Sequence, residues 1–197
     1  MKREVKVNNY SSHPGTIGQV PLADTDLRVC LISEEAGFEL RTMALAPAPP
    51  KPVPAYPYAD EVFHVGAYCG PLLASVGSFI LEDMGLEEMR VPGSAWRIRG
   101  MATATEFRRL GFASAVLEHG LREIRRRGGV LVWCNGRTTA GGFYRHHSFR
   151  QIGGERNIPG LQPHYRFARH LGRPSAGACK LARAAPFRRC HVDVRGS

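Results

Sequence analysis

Ala113, Val116, Leu117, Gly120, Leu121 and Ile124 recur at spacings of three and four, while Glu118, Arg122, Glu123, Arg125, Arg126 and Arg127 take the opposite face. This period predicts an amphipathic helix packed on a sheet. Three arginines and then Gly128-Gly129 close it, which suits the negative end of the helix dipole and a left-handed C-cap. On either side, Trp96 to Ala104 and Val130 to Asn135 are short and rich in branched or aromatic residues. A strand, helix, strand unit with parallel strands follows. Upstream, Leu27, Val29 and Leu31 alternate with Arg28 and Cys30 as a strand does. Ser33-Glu34-Glu35 then starts a helix that ends near Leu45, with a side-chain cap and acidic first turn. Glu61 to Cys69 and Leu73 to Asp83 form a hairpin about Gly70-Pro71. After a second helix, Arg150 to Arg156 and Gln162 to Arg169 supply two more strands, so the sheet is mixed with helices on both faces.

Between residues 46 and 60 lie Pro47, Pro49, Pro50, Pro52, Pro54 and Pro57, which forbid a regular helix and favour an extended polyproline-like path. The segment is a connection, or a wall of a pocket lined by Tyr56 and Tyr58. Residues 1–24 show no strong pattern and are expected to be a poorly ordered extension. A single domain occupies 25–169, and a chain of 197 residues with 43% hydrophobic positions can bury a core of that size.

The net charge of +10 is unevenly spread. From residue 169 onward, seven basic side chains face Asp193 alone, which accounts for +6 of it. The tail at 170–197 therefore reads as a basic, disordered extension, with a nucleic-acid or acidic-partner contact as the other possibility. No apolar run approaches membrane length and the N-terminus lacks a signal-like apolar region, so the expected location is the cytoplasm. Five cysteines without CxxC spacing read as reduced thiols. His146-His147 and His164 lack accompanying cysteines or carboxylates at metal spacing, and no metal site is expected.

The chemistry concentrates where the strand Trp96 to Ala104 gives way to the helix, at Arg108-Arg109-Leu110-Gly111-Phe112-Ala113. Exposed amides at a helix N-terminus make an anion site, which predicts a phosphate-bearing ligand. Neither a P-loop string nor a Gly-x-Gly-x-x-Gly fingerprint occurs.

Taken in order, these residues resemble the GNAT superfamily of acetyl-CoA-dependent N-acetyltransferases. Arg108, Gly111 and Ala113 match its Arg/Gln-x-x-Gly-x-Gly/Ala pyrophosphate loop. Arg99-Gly100-Met101-Ala102-Thr103 resembles its fourth strand. Ala140 and Tyr144, followed by Ser148-Phe149, resemble its Asn-x-x-Ala-x-x-x-Tyr…Gly-Phe segment. Arg109 and Ser148 stand where the family has glycine, and Arg137 where Asn is common. Ile158-Pro159-Gly160-Leu161-Gln162-Pro163-His164-Tyr165-Arg166 also has counterparts in one bacterial subgroup. The match is good over residues 60 to 168.

The resemblance implies a mixed α/β fold, with a mostly antiparallel sheet of six to seven strands that splits into a V between strands four and five. It implies acetyl-CoA as cosubstrate, held by Met101, Ala102, Thr103, Arg108, Arg109, Leu110, Gly111, Phe112, Ala113, Ser114, Arg137, Ala140 and Tyr144. An amine acceptor would attack the thioester directly, with the backbone of Met101 stabilising the oxyanion and Tyr144 protonating the leaving thiolate. Tyr144 alternatively packs as an aromatic plug on Phe143 and Phe149. Glu82, Glu106 and His64 are candidate general bases, none preferred, with Glu106 also suited to cap the approach to the helix. Cys134 reads as a buried strand residue. A CoA-binding protein without catalysis and a nucleic-acid-associated protein remain as other readings, and a homodimer is left open.

Overall fold

Alternating and continuous apolar runs become seven strands of one sheet in the computed structural model, which describes residues 4–6, 19–21, 27–45, 61–92, 94–157 and 162–172. Two three-residue strands, β1 (Glu4–Lys6) and β2 (Gln19–Pro21), pair with each other in the N-terminal segment. The main sheet contains β3 (Leu27–Ile32), β4 (Val62–Cys69), β5 (Leu72–Leu81), β6 (Ala95–Thr103), β7 (Leu131–Arg137), β8 (Arg150–Arg156) and β9 (His164–His170). Their order is β3-β4-β5-β6-β7-β9-β8. Every neighbouring pair is antiparallel except β6 with β7, which the helix α2 (Phe112–Arg126) connects as a parallel crossover. The mixed sheet and its elements agree with the sequence reading to within one to three residues at the ends.

β4 and β5 are buried almost throughout because helices cover both faces. On one face α2 buries Val116, Leu117, Gly120, Leu121 and Ile124, and beside it lies the short α3 (Gly141–His146). On the other face lies α1 (Phe38–Leu45), whose Arg41 reaches Ser78 on β5. Its start differs from the expected cap. Ser33 Oγ accepts from the Ala36 amide, but a 3-10 turn at Glu35–Gly37 precedes the α-helix. Gly37 is buried there, and a Cβ on it would stand 2.9 Å from the Arg41 guanidinium.

α2 is anchored at both ends of its apolar stripe. Its last turn is held by Glu123, which accepts from Arg126 and Arg127, while Arg127 also pairs with Glu61 and covers the Phe63 ring at 4.5 Å. The amide of Gly129 returns to the Ile124 carbonyl with Gly128 left-handed, the C-cap its sequence suggests. The proline segment 46–60 and the tail beyond 172 lie outside the described residues.

Midway along α2 the helix touches the sheet at Gly120, where a Cβ would stand 2.0 Å from the Phe79 ring. Phe79 is itself fully buried and stacked on Phe63 at 5.0 Å, so it has nowhere to move. Gly120→Ala should therefore lower stability by about 2 kcal/mol through overpacking, despite the roughly 1 kcal/mol by which alanine favours a helix. Urea unfolding checks this: the midpoint should fall at constant slope, and an unchanged midpoint would show that the helix packs differently.

Candidate active site

β6 and β7 pair over only four residues, from Ala95↔Leu131 to Ile98↔Cys134. Beyond that point β6 stays with β5 as far as Thr103↔Ser75, and β7 stays with β9 as far as Arg137↔His164. The two strands diverge, and the V expected between the family's fourth and fifth strands is this fork between β6 and β7. Its origin is local. Arg99 pairs with Ser78 and Ala102 with Val76, so Gly100 and Met101 together oppose the single Gly77. Such a bulge bends its strand, and Gly100 takes the left-handed φ of +59° that it requires. A Cβ on Gly77 would lie 2.5 Å from Met101 Sδ and 3.0 Å from Val116, which puts the Met101 side chain beneath α2.

The fork opens into a cleft of about 1310 Å³. Of the residues expected to hold the cofactor, Met101, Ala102, Thr103, Arg108, Arg109, Gly111, Phe112, Ala113, Ser114, Arg137, Ala140 and Tyr144 line it. Leu110 does not, and packs instead on the core.

One end of the cleft is formed by the loop before α2 and the first turn of that helix. After a 3-10 turn at Thr105–Phe107 the chain passes Arg109 at φ +64° and Gly111 at φ +91°, and α2 begins at Phe112. Phe107 meets Phe112 edge to face at 5.3 Å, which pins the loop to the helix. Gly111 has no side chain to cap the helix and the first turn holds no acidic residue, so its first amides have no side-chain cap. Arg108 and Arg109 are exposed beside them. Ser114 is linked to α3, because its Oγ lies 2.9 Å from His147 Nε2 and His147 Nδ1 lies 3.1 Å from Glu118. Arg169 donates to the His147 carbonyl. His147 thus bridges two helices, a role its sequence position did not signal.

At the fork, Tyr144 is buried and borders the cleft. Its ring stacks on Phe167 at 5.1 Å and meets Phe143 and Phe149 edge to face, so it packs as the plug while also facing the site. Burial, and then the neighbouring Cys134 thiol to which it hydrogen-bonds, push the Tyr144 hydroxyl well above its ordinary range. Burial likewise pushes Cys134 up to about 12, so it stays a thiol. A nucleophilic thiolate there is disfavoured.

None of the three candidate bases lines the cleft. Glu82 is bound to Arg97 at 2.6 Å. Glu106 has Oε2 buried with no hydrogen-bond partner, so that oxygen does not cap α2 as anticipated. His64 is buried with Nδ1 2.9 Å from Ser78 Oγ, beside the buried Arg41.

The sequence reading named Arg137 for the cofactor and quoted Arg99 and His164, but missed that they share one face of the fork with Arg97 and Asn135. Register puts Arg97 and Arg99 of β6, Asn135 and Arg137 of β7, and His164 of β9 on the α1 side. All five line the cleft, together with Ala44 and Leu45 of α1 and Gln162. Period-two alternation carries that signal, but only once the strand faces are assigned. Arg137 also donates to the Leu45 carbonyl at 3.3 Å.

The comparisons with known proteins agree with this geometry. The Acetyltransferase (GNAT) family matches residues 37–149, and the chain belongs to that family. It is 30% identical over 140 residues to the uncharacterized N-acetyltransferase YitI of Bacillus subtilis (strain 168), spanning 70% of this chain and 92% of that one. Among solved structures it is similar to a putative N-acetyltransferase from Lactobacillus plantarum, with TM-score 0.59, 17% identity, and coverage of 74% of this chain and 98% of that one. It is also similar to FeeM, an N-acyl amino acid synthase from uncultured soil microbes, with TM-score 0.60, 13% identity, and coverage of 75% and 92%. At these identities the structural likenesses show the fold. Among the described residues no helix is long and apolar enough to cross a membrane.

Burial first, and then the charge of Arg41, lower His64 to about 4 from 6.5. The fold favours the neutral imidazole, so this contribution is complete above pH 6.5 and is lost as pH falls toward 4. At about 1.4 kcal/mol per unit, roughly 2 kcal/mol should disappear between pH 7 and pH 5. Urea unfolding at those two pH values should show the loss in the parent chain and a smaller one in His64→Asn; equal losses would place the titration elsewhere.

Proposed function

We propose that the protein is an N-acetyltransferase that moves the acetyl group of acetyl-CoA to a primary amine by direct attack in a ternary complex. The observation that carries this is the single cleft in which the forked β6 and β7, the uncapped start of α2 and Tyr144 come together. The amides of Phe112, Ala113 and Ser114, with Arg108 and Arg109, would hold the pyrophosphate. The inner edge of β6, with Met101, Ala102 and Thr103, would align the thioester, and Arg137 and Ala140 would flank it.

The amine nitrogen attacks the thioester carbonyl carbon, and the negative charge that develops on oxygen meets the Met101 backbone amide. A fixed dipole at that position is worth about 3 kcal/mol. As the C–S bond breaks, the Tyr144 hydroxyl donates its proton to the thiolate. With its pKa raised above the ordinary range, Tyr144 holds a proton to donate at neutral pH. The described cleft lining carries Arg97, Arg99, Arg108, Arg109 and Arg137 without a carboxylate. Positive surroundings lower the pKa of a bound ammonium, which favours the free amine without a dedicated base.

The departures from the family pattern do not favour a non-catalytic reading. Arg109 and Ser148 stand where the family has glycine, and both adopt φ values above +60°, so the backbone that glycine would favour is retained. A cytoplasmic enzyme, alone or as a homodimer, is consistent with this reading.

Acetyl-CoA at about a hundred times its Kd should raise stability by roughly 2.7 kcal/mol, seen as a higher Tm. Tyr144→Phe should keep that shift and lose about a hundredfold in kcat, read by thiol release. A kcat unchanged in Tyr144→Phe removes the assignment of the acid, and the absence of any shift with acetyl-CoA removes the cosubstrate.

A further inference from the structure

Acyl transfer to an amine has to dispose of a proton. A free amine needs no base to begin the attack, yet its nitrogen becomes cationic as the bond to carbon forms, and the amide product lacks that proton. A group at the cleft must accept it. Among the described residues no Asp, Glu, Lys or Cys lines the cleft. With Tyr144 serving the thiolate, the lining side chains that exchange a proton near neutral pH are His146 and His164.

The two histidines differ in setting. His146 is exposed on α3, next to His147, which is tied to Ser114 at the start of α2. His164 is 9% exposed and opens β9 on the α1 side of the fork, with Arg137 of β7 and Arg156 of β8 as its register partners and Arg166 next on the same face. The Thr138 amide donates to the Pro163 carbonyl at 3.0 Å, which fixes the start of β9 against the end of β7. His164 Nδ1 donates to the Gln162 carbonyl. A carbonyl oxygen can only accept, so in the neutral ring the proton lies on Nδ1 and the lone pair on Nε2. Nε2 has no hydrogen-bond partner among the described residues. Five buried side-chain nitrogens or oxygens there lack partners and His164 Nε2 is not one of them, so its lone pair is open to the cleft that His164 lines.

Tyr144 approaches the same two strands from the other face. A Cβ on Gly136 would stand 2.5 Å from Tyr144 Cε2, and Gly136 pairs with Tyr165, so the adjacent pair, Arg137 and His164, points to the opposite side of the sheet. The Tyr144 ring and the His164 side chain thus meet β7 and β9 one residue apart, a rise of about 3.3 Å, on opposite faces at the rim of the fork. An acid on one face and a base on the other suit a reaction in which a nucleophile enters and a thiolate leaves at one carbon.

Building on the acyl-transfer reading, we propose that His164 is the general base, its Nε2 taking the proton of the attacking nitrogen on the α1 side of the cleft. The N–C bond forms and nitrogen gives a proton to Nε2; the C–S bond breaks and sulfur takes a proton from Tyr144. His164 is left as imidazolium and Tyr144 as phenolate, and solvent water carries the proton from the first to the second before the next turnover. The bond from Nδ1 to the Gln162 carbonyl is kept throughout and holds the ring in place.

The test measures acetyl-CoA-dependent thiol release with glycine, tyramine, spermidine and an alanyl peptide, and carries the best acceptor to the variants. His164→Asn retains an N–H for the Gln162 carbonyl and lacks Nε2. It should lose about a hundredfold in kcat, keep the KM for acetyl-CoA and recover part of its rate with added imidazole. The parent kcat should fall toward acid pH as the imidazole takes up a proton, whereas His146→Asn should behave as the parent does. A His164→Asn kcat within about threefold of the parent overturns the base while leaving acyl transfer standing. If acetyl-CoA binds and no amine releases thiol, the acyl-transfer reading is what fails, and the base falls with it. Heteronuclear NMR of the parent's imidazoles with CoA bound, above neutral pH, reads the tautomer without acceptor or variant. A proton on His164 Nδ1 and none on Nε2 upholds the assignment, and a proton on Nε2 removes it even if His164→Asn does not fold.

Discussion

The parting of β6 from β7 after Ile98↔Cys134 is the constraint on which the rest of the site depends. Interior strands of a sheet normally pair along their length, because an unpaired backbone amide away from water is costly. Here each strand keeps its outer partner, β5 or β9, and gives up only its inner one. The bulge at Gly100 and Met101 turns β6 away, and the absence of a side chain at Gly77 leaves room for Met101 beneath α2. The result is a wedge with backbone groups on its inner edges, closed on one face by the start of α2 and on the other by the end of α1.

Electrostatics divides that wedge. The amides and arginines at the start of α2 face one end, and the arginines of alternating strand positions face the α1 side. Sharing a strand with the bulge matters, because the extra residue changes which face each side chain takes. Arg97 and Arg99, before the bulge, point to the α1 side, while Met101, the second residue of the bulge, lies under α2. One inserted residue therefore turns the side chains of a single strand toward both faces of the cleft.

Much of this was legible in the sequence, and the reasons differ by element. The period of α2, its arginine-glycine end and the glycine before it are local signals, and the loop residues from Arg108 to Ser114 follow from them, except that Leu110 turns inward. Family resemblance supplied the fork and Tyr144. The faces of β6 and β7 were not legible, since a bulge leaves no mark beyond one glycine and register is a property of pairs of strands. Hence the shared face of Arg97, Arg99 and Asn135 went unnoticed, and His64 was entertained as a base although it lies beneath the sheet's α1 face in a buried polar cluster. His147 was missed because its partners, Ser114 and Glu118, are about 30 positions away on another helix.

That buried cluster explains how the α1 wall of the cleft keeps its shape. Arg41 is almost fully buried, and its charge is met by the Glu34 carbonyl at 2.7 Å and by Ser78 Oγ, which His64 also contacts. With Glu35 as an acidic neighbour rather than a hydrogen-bonded partner, a buried cation is an expensive way to attach a helix, and an apolar residue would pack at lower cost. What it adds is direction, because the guanidinium bonds only if α1 sits at one height and rotation over β5. Arg137 constrains the far end of the same helix by donating to the Leu45 carbonyl. Ala44 and Leu45, which form that wall of the cleft, are thus located by one arginine on the helix and another on the strand across the fork.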